Sequence, residues 1–199
     1  MKNSFMDTTV KVDVEVTFIT PMLGTVPKDP EIYKTFIESK KPASNNGEDE
    51  YMTVEKTEEK GWTGFRSDKQ GLFIYEYMVK GFLKNAGNVL KDTVKVKALK
   101  SKIDNFVFIA PRKIYLGQSE ADGVEERPIR AMTAQGPRVS VVRSDYISEG
   151  KTIQFSITLL NHKEVTWDLI ADLLRYGTLM GLGQFRNGGY GRFEVANIS

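Results

Sequence analysis

Two arginines, two aromatic residues and five glycines are compressed into Gly181-Leu182-Gly183-Gln184-Phe185-Arg186-Asn187-Gly188-Gly189-Tyr190-Gly191-Arg192. Open backbone N–H groups, guanidinium groups and ring faces are the groups that hold a phosphate beside a base. Glycine loses more backbone freedom on folding than any other residue. One or two would satisfy a plain helix-to-strand turn, so five point to a ligand. P-loop and dinucleotide fingerprints follow a strand and open a helix. Here the order is reversed, because the loop lies between an amphipathic helix and a final strand.

A second basic group lies in Lys80-Gly81-Phe82-Leu83-Lys84. Tyr75, Met78, Val79, Phe82, Leu83, Ala86, Val89 and Leu90 recur at helical spacing, which sets Lys80, Lys84, Asn85 and Asn88 near or on the opposite face. Gly81 costs such a helix about 1 kcal/mol relative to alanine and would let a ligand approach the backbone. Gln135-Gly136-Pro137-Arg138 reads as another phosphate-facing turn. Arg112, Lys113, Arg130 and Arg143, interleaved with Tyr115, Phe185 and Tyr190, suit a single strand whose phosphates meet cations and whose bases meet rings. The expected nucleic-acid contacts are Lys80, Gly81, Lys84, Arg138, Gly181, Gly183, Arg186, Gly188, Gly189, Tyr190, Gly191 and Arg192.

Other chemistries find little support. With no cysteine and one histidine, disulfides, thiolate sites and histidine-rich metal centres are excluded. His162 stands in a polar turn, Leu160-Asn161-His162-Lys163, and is not expected to act as a general base. Glu120, Asp122, Glu125 and Glu126 form an acidic loop without EF-hand spacing, so no metal and no cofactor is expected. The net charge of +2 does not by itself declare a nucleic-acid binder. The charge is uneven, however: Glu48, Asp49, Glu50, Glu55, Glu58 and Glu59 gather in one segment and leave the remainder basic.

The positioning elements follow from periodicity. Residues 8–20 alternate, with Val10, Val12, Val14, Val16 and Phe18 on one face, and 151–160 alternate likewise, so both are half-buried strands. A short helix is expected near 29–40, a mobile insertion over 41–60, and two extended pieces over 61–74 that form a hairpin. Residues 106–109 and 113–116 read as a paired or bent strand around Pro111, and 117–127 as a polar loop. Pro128–Thr133 and Arg138–Arg143 read as short strands. A helix over 165–180, with Thr166 as N-cap and Asp168 in the first turn, leads through the glycine loop to a last strand at 192–197. The strongest elements give an α+β, ferredoxin-like (RRM-like) βαββαβ sheet with helices on one face, in a single domain elaborated at 41–70 and 117–137.

In this order of elements the chain resembles the RAMP superfamily of CRISPR-associated proteins, in particular the RNA-binding backbone subunits of effector complexes. Gly181-Leu182-Gly183 and Gly189-Tyr190-Gly191 stand where that family has Gly-hydrophobic-Gly and Gly-aromatic-Gly before the last strand. Lys80-Gly81 resembles the pair that opens its first core helix, although Tyr75-Glu76-Tyr77-Met78 replaces the family's Pro-Gly-Ser approach. The resemblance implies non-catalytic binding of single-stranded RNA or an oligonucleotide. Assembly with copies of itself or with CRISPR-like subunits follows from the same resemblance. A stand-alone, phage-borne relative would serve defence or counter-defence. Three alternatives stay open: a metal-independent endoribonuclease of the same fold, a pocket that sequesters a small oligonucleotide signal, and a structural mimic of a backbone subunit. No apolar run is long enough to span a bilayer, and a cytoplasmic location is expected.

Overall fold

The computed structural model describes residues 9–29, 61–133 and 136–198. Almost all of the helix expected near 29–40, and the whole of 41–60, lie outside the described residues. So do Ala134 and Gln135, and the side chains of Arg130 and Arg138.

A four-stranded antiparallel sheet forms the centre. It comprises β1 (Thr9–Phe18), β7 (Val107–Ala110), β11 (Thr152–Leu160) and β12 (Phe193–Ile198), in the order β12-β1-β11-β7. Helix α1 (Glu76–Leu90) connects β1 to β7, and α3 (Trp167–Arg175) connects β11 to β12. This is the ferredoxin-like arrangement, with strand order 4-1-3-2 in core numbering. The alternation holds over the second half of β1 and in β11: Val14, Val16, Phe18, Ile153, Phe155 and Ile157 are buried, together with Phe82, Leu83, Leu173, Leu174 and Phe193, whereas Val12 is partly buried and Val10 exposed. Full burial of such side chains contributes about 1.5–3 kcal/mol each. Thr166 caps α3 by accepting from the Leu169 N–H at 3.4 Å, and Asp168 sits in its first turn.

Two smaller sheets elaborate this core. β5 (Arg66–Asp68), β6 (Gly71–Tyr75) and β8 (Lys113–Tyr115) form a three-stranded sheet whose first two strands make the expected hairpin. β2 (Met22–Leu23), β3 (Val26–Pro27) and β4 (Thr63–Gly64) join the long hairpin of β9 (Gly123–Thr133) and β10 (Gly136–Ile147).

Three expectations change. β7 and β8 do not pair with each other, because one joins the central sheet and the other pairs with β6. Between them stands Pro111, which has no N–H to offer a ladder. The loop expected over 117–127 ends at Asp122, and the two short strands become strands of 11 and 12 residues. The charges there conceal a strand because they are satisfied within the fold. Arg143 donates to Glu126 across the hairpin at 2.7 Å, and Glu125 and Arg127 share a face of β9 turned to the glycine loop. Finally, α2 (Leu99–Phe106) is a helix where no element is expected. Leu99, Ile103 and Phe106 are its only apolar side chains, too short a stripe to stand out in a lysine-rich stretch.

Candidate nucleic-acid interface

The glycine-rich segment is a stitched loop, held mostly through its backbone. The Leu182 N–H donates to the Gly191 carbonyl at 2.8 Å, the Gly191 N–H to Pro21 at 2.8 Å and the Gln184 N–H to Leu23 at 3.4 Å. The Thr20 hydroxyl donates to the Gly189 carbonyl at 2.8 Å and accepts from the Arg192 N–H at 2.9 Å. The loop therefore lies flat on the chain that leaves β1.

This close approach explains the glycines. A Cβ on Gly181 would stand 2.1 Å from the Gly191 carbonyl carbon, one on Gly191 1.9 Å from the Leu182 oxygen, and one on Gly183 2.6 Å from the Leu23 oxygen. A Cβ on Gly188 would meet the Phe185 ring at 2.3 Å, and Gly189 needs glycine because its φ is +87°. The number of glycines is thus set by packing, contrary to the reasoning that one or two suffice for the turn. The groups left to meet a ligand are the side chains of Phe185, Arg186 and Arg192. Phe185 is 48% exposed. Arg186 makes no ion pair or side-chain hydrogen bond among the described residues. Arg192 packs its guanidinium 3.4 Å from the position a Gly189 Cβ would occupy, with Nε buried and without a hydrogen-bond partner among the described residues.

Beneath the loop sits Arg127, which the sequence reading passed over as part of an acidic loop. It is only 7% exposed. Its guanidinium lies 4.7 Å from the centroid of Phe185 and 5.5 Å from that of Tyr190. Nη2 donates to the Ser144 hydroxyl at 2.8 Å, while Nε and Nη1 have no hydrogen-bond partner among the described residues. Burial lowers its pKa from the usual arginine value. The Tyr190 hydroxyl donates to Glu125 at 2.6 Å, and this bond, together with burial, raises the tyrosine pKa. The Gln184 side-chain oxygen completes the clasp, accepting from Thr63 at 2.8 Å and from Ser144 at 3.0 Å. Period-two spacing places Glu125 and Arg127 on one strand face. That was the available signal.

Lys80, Gly81 and Lys84 lie elsewhere. Lys80 donates to the carbonyls of Asp104, at 2.9 Å, and Val107, and burial lowers its pKa. Lys84 pairs with Asp104 at 3.0 Å. These contacts close on α2 and β7, at the sheet edge opposite β12. With Tyr77, Asn85, Asn88 and Lys100 they line an open groove of about 440 Å³ between α1 and α2. Gly81 forms part of its wall, and a Cβ there would meet nothing within 4 Å. Arg138 apart, the expected contacts thus fall into two separate groups, one on the glycine-rich loop and one on α1. Arg138 is on β10, paired with Ala131. His162 is used structurally: its Nδ1 accepts from the Glu164 N–H at 3.1 Å and its ring lies 4.5 Å from that of Phe106.

No helix among the described residues is long and apolar enough to cross a membrane. No protein-family profile matches the chain, and no curated protein does. Among solved structures the chain is similar to one in the cryo-EM structure of the Type III-B Cmr-beta bound to cognate target RNA, with a TM-score of 0.53 and 17% identity. The similarity covers 98% of this chain and 61% of that one. At this identity what is shared is the fold, consistent with the strand order above.

Proposed function

We propose that the chain binds single-stranded RNA without cutting it, using the exposed side of the glycine-rich loop and the groove between α1 and α2. The observation that supports this most directly is Gly81. Every glycine of the loop is explained by a close contact or a positive φ, whereas Gly81 occupies an exposed position within a helix with empty space where its Cβ would be. A glycine the fold does not need, flanked by Lys80 and Lys84, suits a backbone that a phosphate approaches. The similarity to a chain of an RNA-bound assembly agrees with this reading.

The exposed face of the central sheet is the less favourable surface. It presents Asp13, Glu15, Gln154 and Thr158, with Glu15 accepting from Gln154 at 2.6 Å, and Lys11 is the one cation of β1 there. Phosphates are repelled by such a face and favour the sheet's edges. The two edges are three strand spacings apart, about 14 Å, a distance one extended strand can bridge.

Gly81→Ala separates stability from binding. Alanine in an exposed helix interior is expected to stabilise the fold by about 0.5–1 kcal/mol, while RNA affinity falls several-fold, measured by fluorescence anisotropy beside a urea melt. A variant that is more stable and binds as well as wild type removes the groove from the interface. Arg186→Glu tests the loop. It is expected to weaken binding at least about tenfold, or about 1.4 kcal/mol, and to flatten a salt dependence whose slope is about 0.7 per phosphate contacted. Unchanged affinity and slope would remove the loop.

A further inference from the structure

At the N-terminal end of the α1–α2 groove the aromatic side chains of the three-stranded sheet meet the helix. Tyr75, the residue before α1, stacks on Tyr77 with ring centroids 5.4 Å apart and planes 29° from parallel. On its other side Tyr75 meets Phe73 edge-on at 5.4 Å, and Phe73 meets Tyr115 in the same way at 5.9 Å. Two guanidinium groups flank Tyr75: Arg66 at 5.4 Å and Arg112 at 5.7 Å from its ring centroid. Arg112 is exposed and makes no ion pair among the described residues. The stack thus begins in the half-buried interior of the small sheet and ends on Tyr77, which is 59% exposed and lines the groove.

We propose that Tyr75 and Tyr77, with Arg112 beside them, form a shelf on which a nucleobase of a single strand stacks as the strand leaves the groove. The proposal rests on the reading of the chain as a single-strand binder and adds the kind of contact made at this end. Three features favour a base over a phosphate here. The first turn of α1 already carries the acidic Glu76, which disfavours a second anion at the helix's positive pole. The Glu76 N–H is already bonded to the Arg112 carbonyl at 3.0 Å. And the exposed group is a large flat ring whose orientation is fixed by its partner, so little freedom is lost when a base lies on it. Farther along the groove Lys100 supplies a cation for the backbone that carries that base, beside Lys80, which is bonded to the Asp104 and Val107 carbonyls, and Lys84, which is paired with Asp104. A second copy of the chain or a foreign protein could also cover an exposed tyrosine. The ring stack flanked by guanidinium groups and continuous with a lysine-lined groove favours the nucleic acid.

The test uses the full chain and two probes: an adenosine-rich single-stranded RNA with one 2-aminopurine, and a strand of the same length with abasic positions. Wild type is expected to bind the base-bearing strand with quenching of the 2-aminopurine. Tyr77→Ala should weaken that binding by about tenfold and lose the quenching. Tyr77→Phe should restore both. Affinity for the abasic strand should be the same in all three proteins. Tyr77 is exposed, so the variants are expected to melt like wild type, which a thermal scan checks. Equal loss on both strands, or unchanged binding of the base-bearing strand by Tyr77→Ala, overturns the shelf. A change confined to self-association overturns it too and assigns the surface to a protein contact. Wild type that binds neither strand defeats the shelf and the RNA reading together. Binding that withstands Arg186→Glu and Gly81→Ala but falls with Tyr77→Ala defeats only the earlier assignment of surfaces.

Discussion

Gly191→Val is expected to destabilise the fold by more than about 4 kcal/mol. Gly191 has φ of +69°, a left-handed conformation that costs a residue with a Cβ about 1–2 kcal/mol. The larger cost is steric, since the new carbon would stand 1.9 Å from the Leu182 carbonyl oxygen and 3.1 Å from its nitrogen. To relieve that contact Leu182 must withdraw from the core, where it is 3% exposed, and the bonds from Leu182 to Gly191 and from Gly191 to Pro21 must open. Together these losses exceed about 4 kcal/mol, a large part of the stability of an ordinary domain. Gly189→Ala is the control, because its Cβ would meet only the Arg192 side chain at 3.4 Å. It should cost no more than about 1–2 kcal/mol, the price of its positive φ. Urea denaturation followed by circular dichroism compares the two. A valine variant with the wild-type midpoint would contradict the account of the loop as close-packed backbone.

Arg127→Ala is the second large effect, with an expected loss of about 3 kcal/mol. Truncation removes the cation packed against Phe185 and Tyr190, takes away one hydrogen bond of the Ser144 hydroxyl, which keeps those to Gln184 and Thr63, and leaves a cavity between the hairpin and the glycine loop. Because Phe185 and Tyr190 flank Arg186 in sequence, the RNA affinity proposed above should fall with stability. Arg127→Met distinguishes volume from charge. A buried cation with one hydrogen bond and two unpartnered nitrogens is costly to desolvate, so methionine should recover roughly half of the loss. Denaturation midpoints at constant m-value measure both. An alanine variant as stable as wild type would show that the hairpin and loop do not depend on this clasp.

The central sheet was legible because its signals are local. The alternation of β1 and β11 and the cap of α3 depend on side chains a few positions apart, and the order of these elements along the chain points to the ferredoxin-like pattern. Arg127 was not legible. It lies in a charged run, and what buries it is the approach of Phe185 and Tyr190 from some sixty residues away in sequence. The loop glycines were conspicuous but their cause was not, since composition cannot distinguish a glycine kept for a ligand from one kept for a neighbouring carbonyl. Gly81 shows the converse. In sequence it is a weak point in a basic helix that would let a ligand approach, and the empty space around it sets it apart from the glycines the fold requires.

The pairing of β1 has a consequence for how the chain is made. Its partners are β11 and β12, with Thr9 opposite Leu160 and Phe18 opposite Phe193. The strand at the middle of the central sheet is therefore synthesised first and paired last. At about 5–20 residues per second on the ribosome, β1 emerges on the order of ten seconds before β11, and contacts so distant in sequence also form slowly. Through that interval an apolar strand with two open edges is at risk of pairing with another nascent chain. Lys11, Asp13 and Glu15, interleaved with its valines, place a charge at every second residue and so guard the strand while it waits.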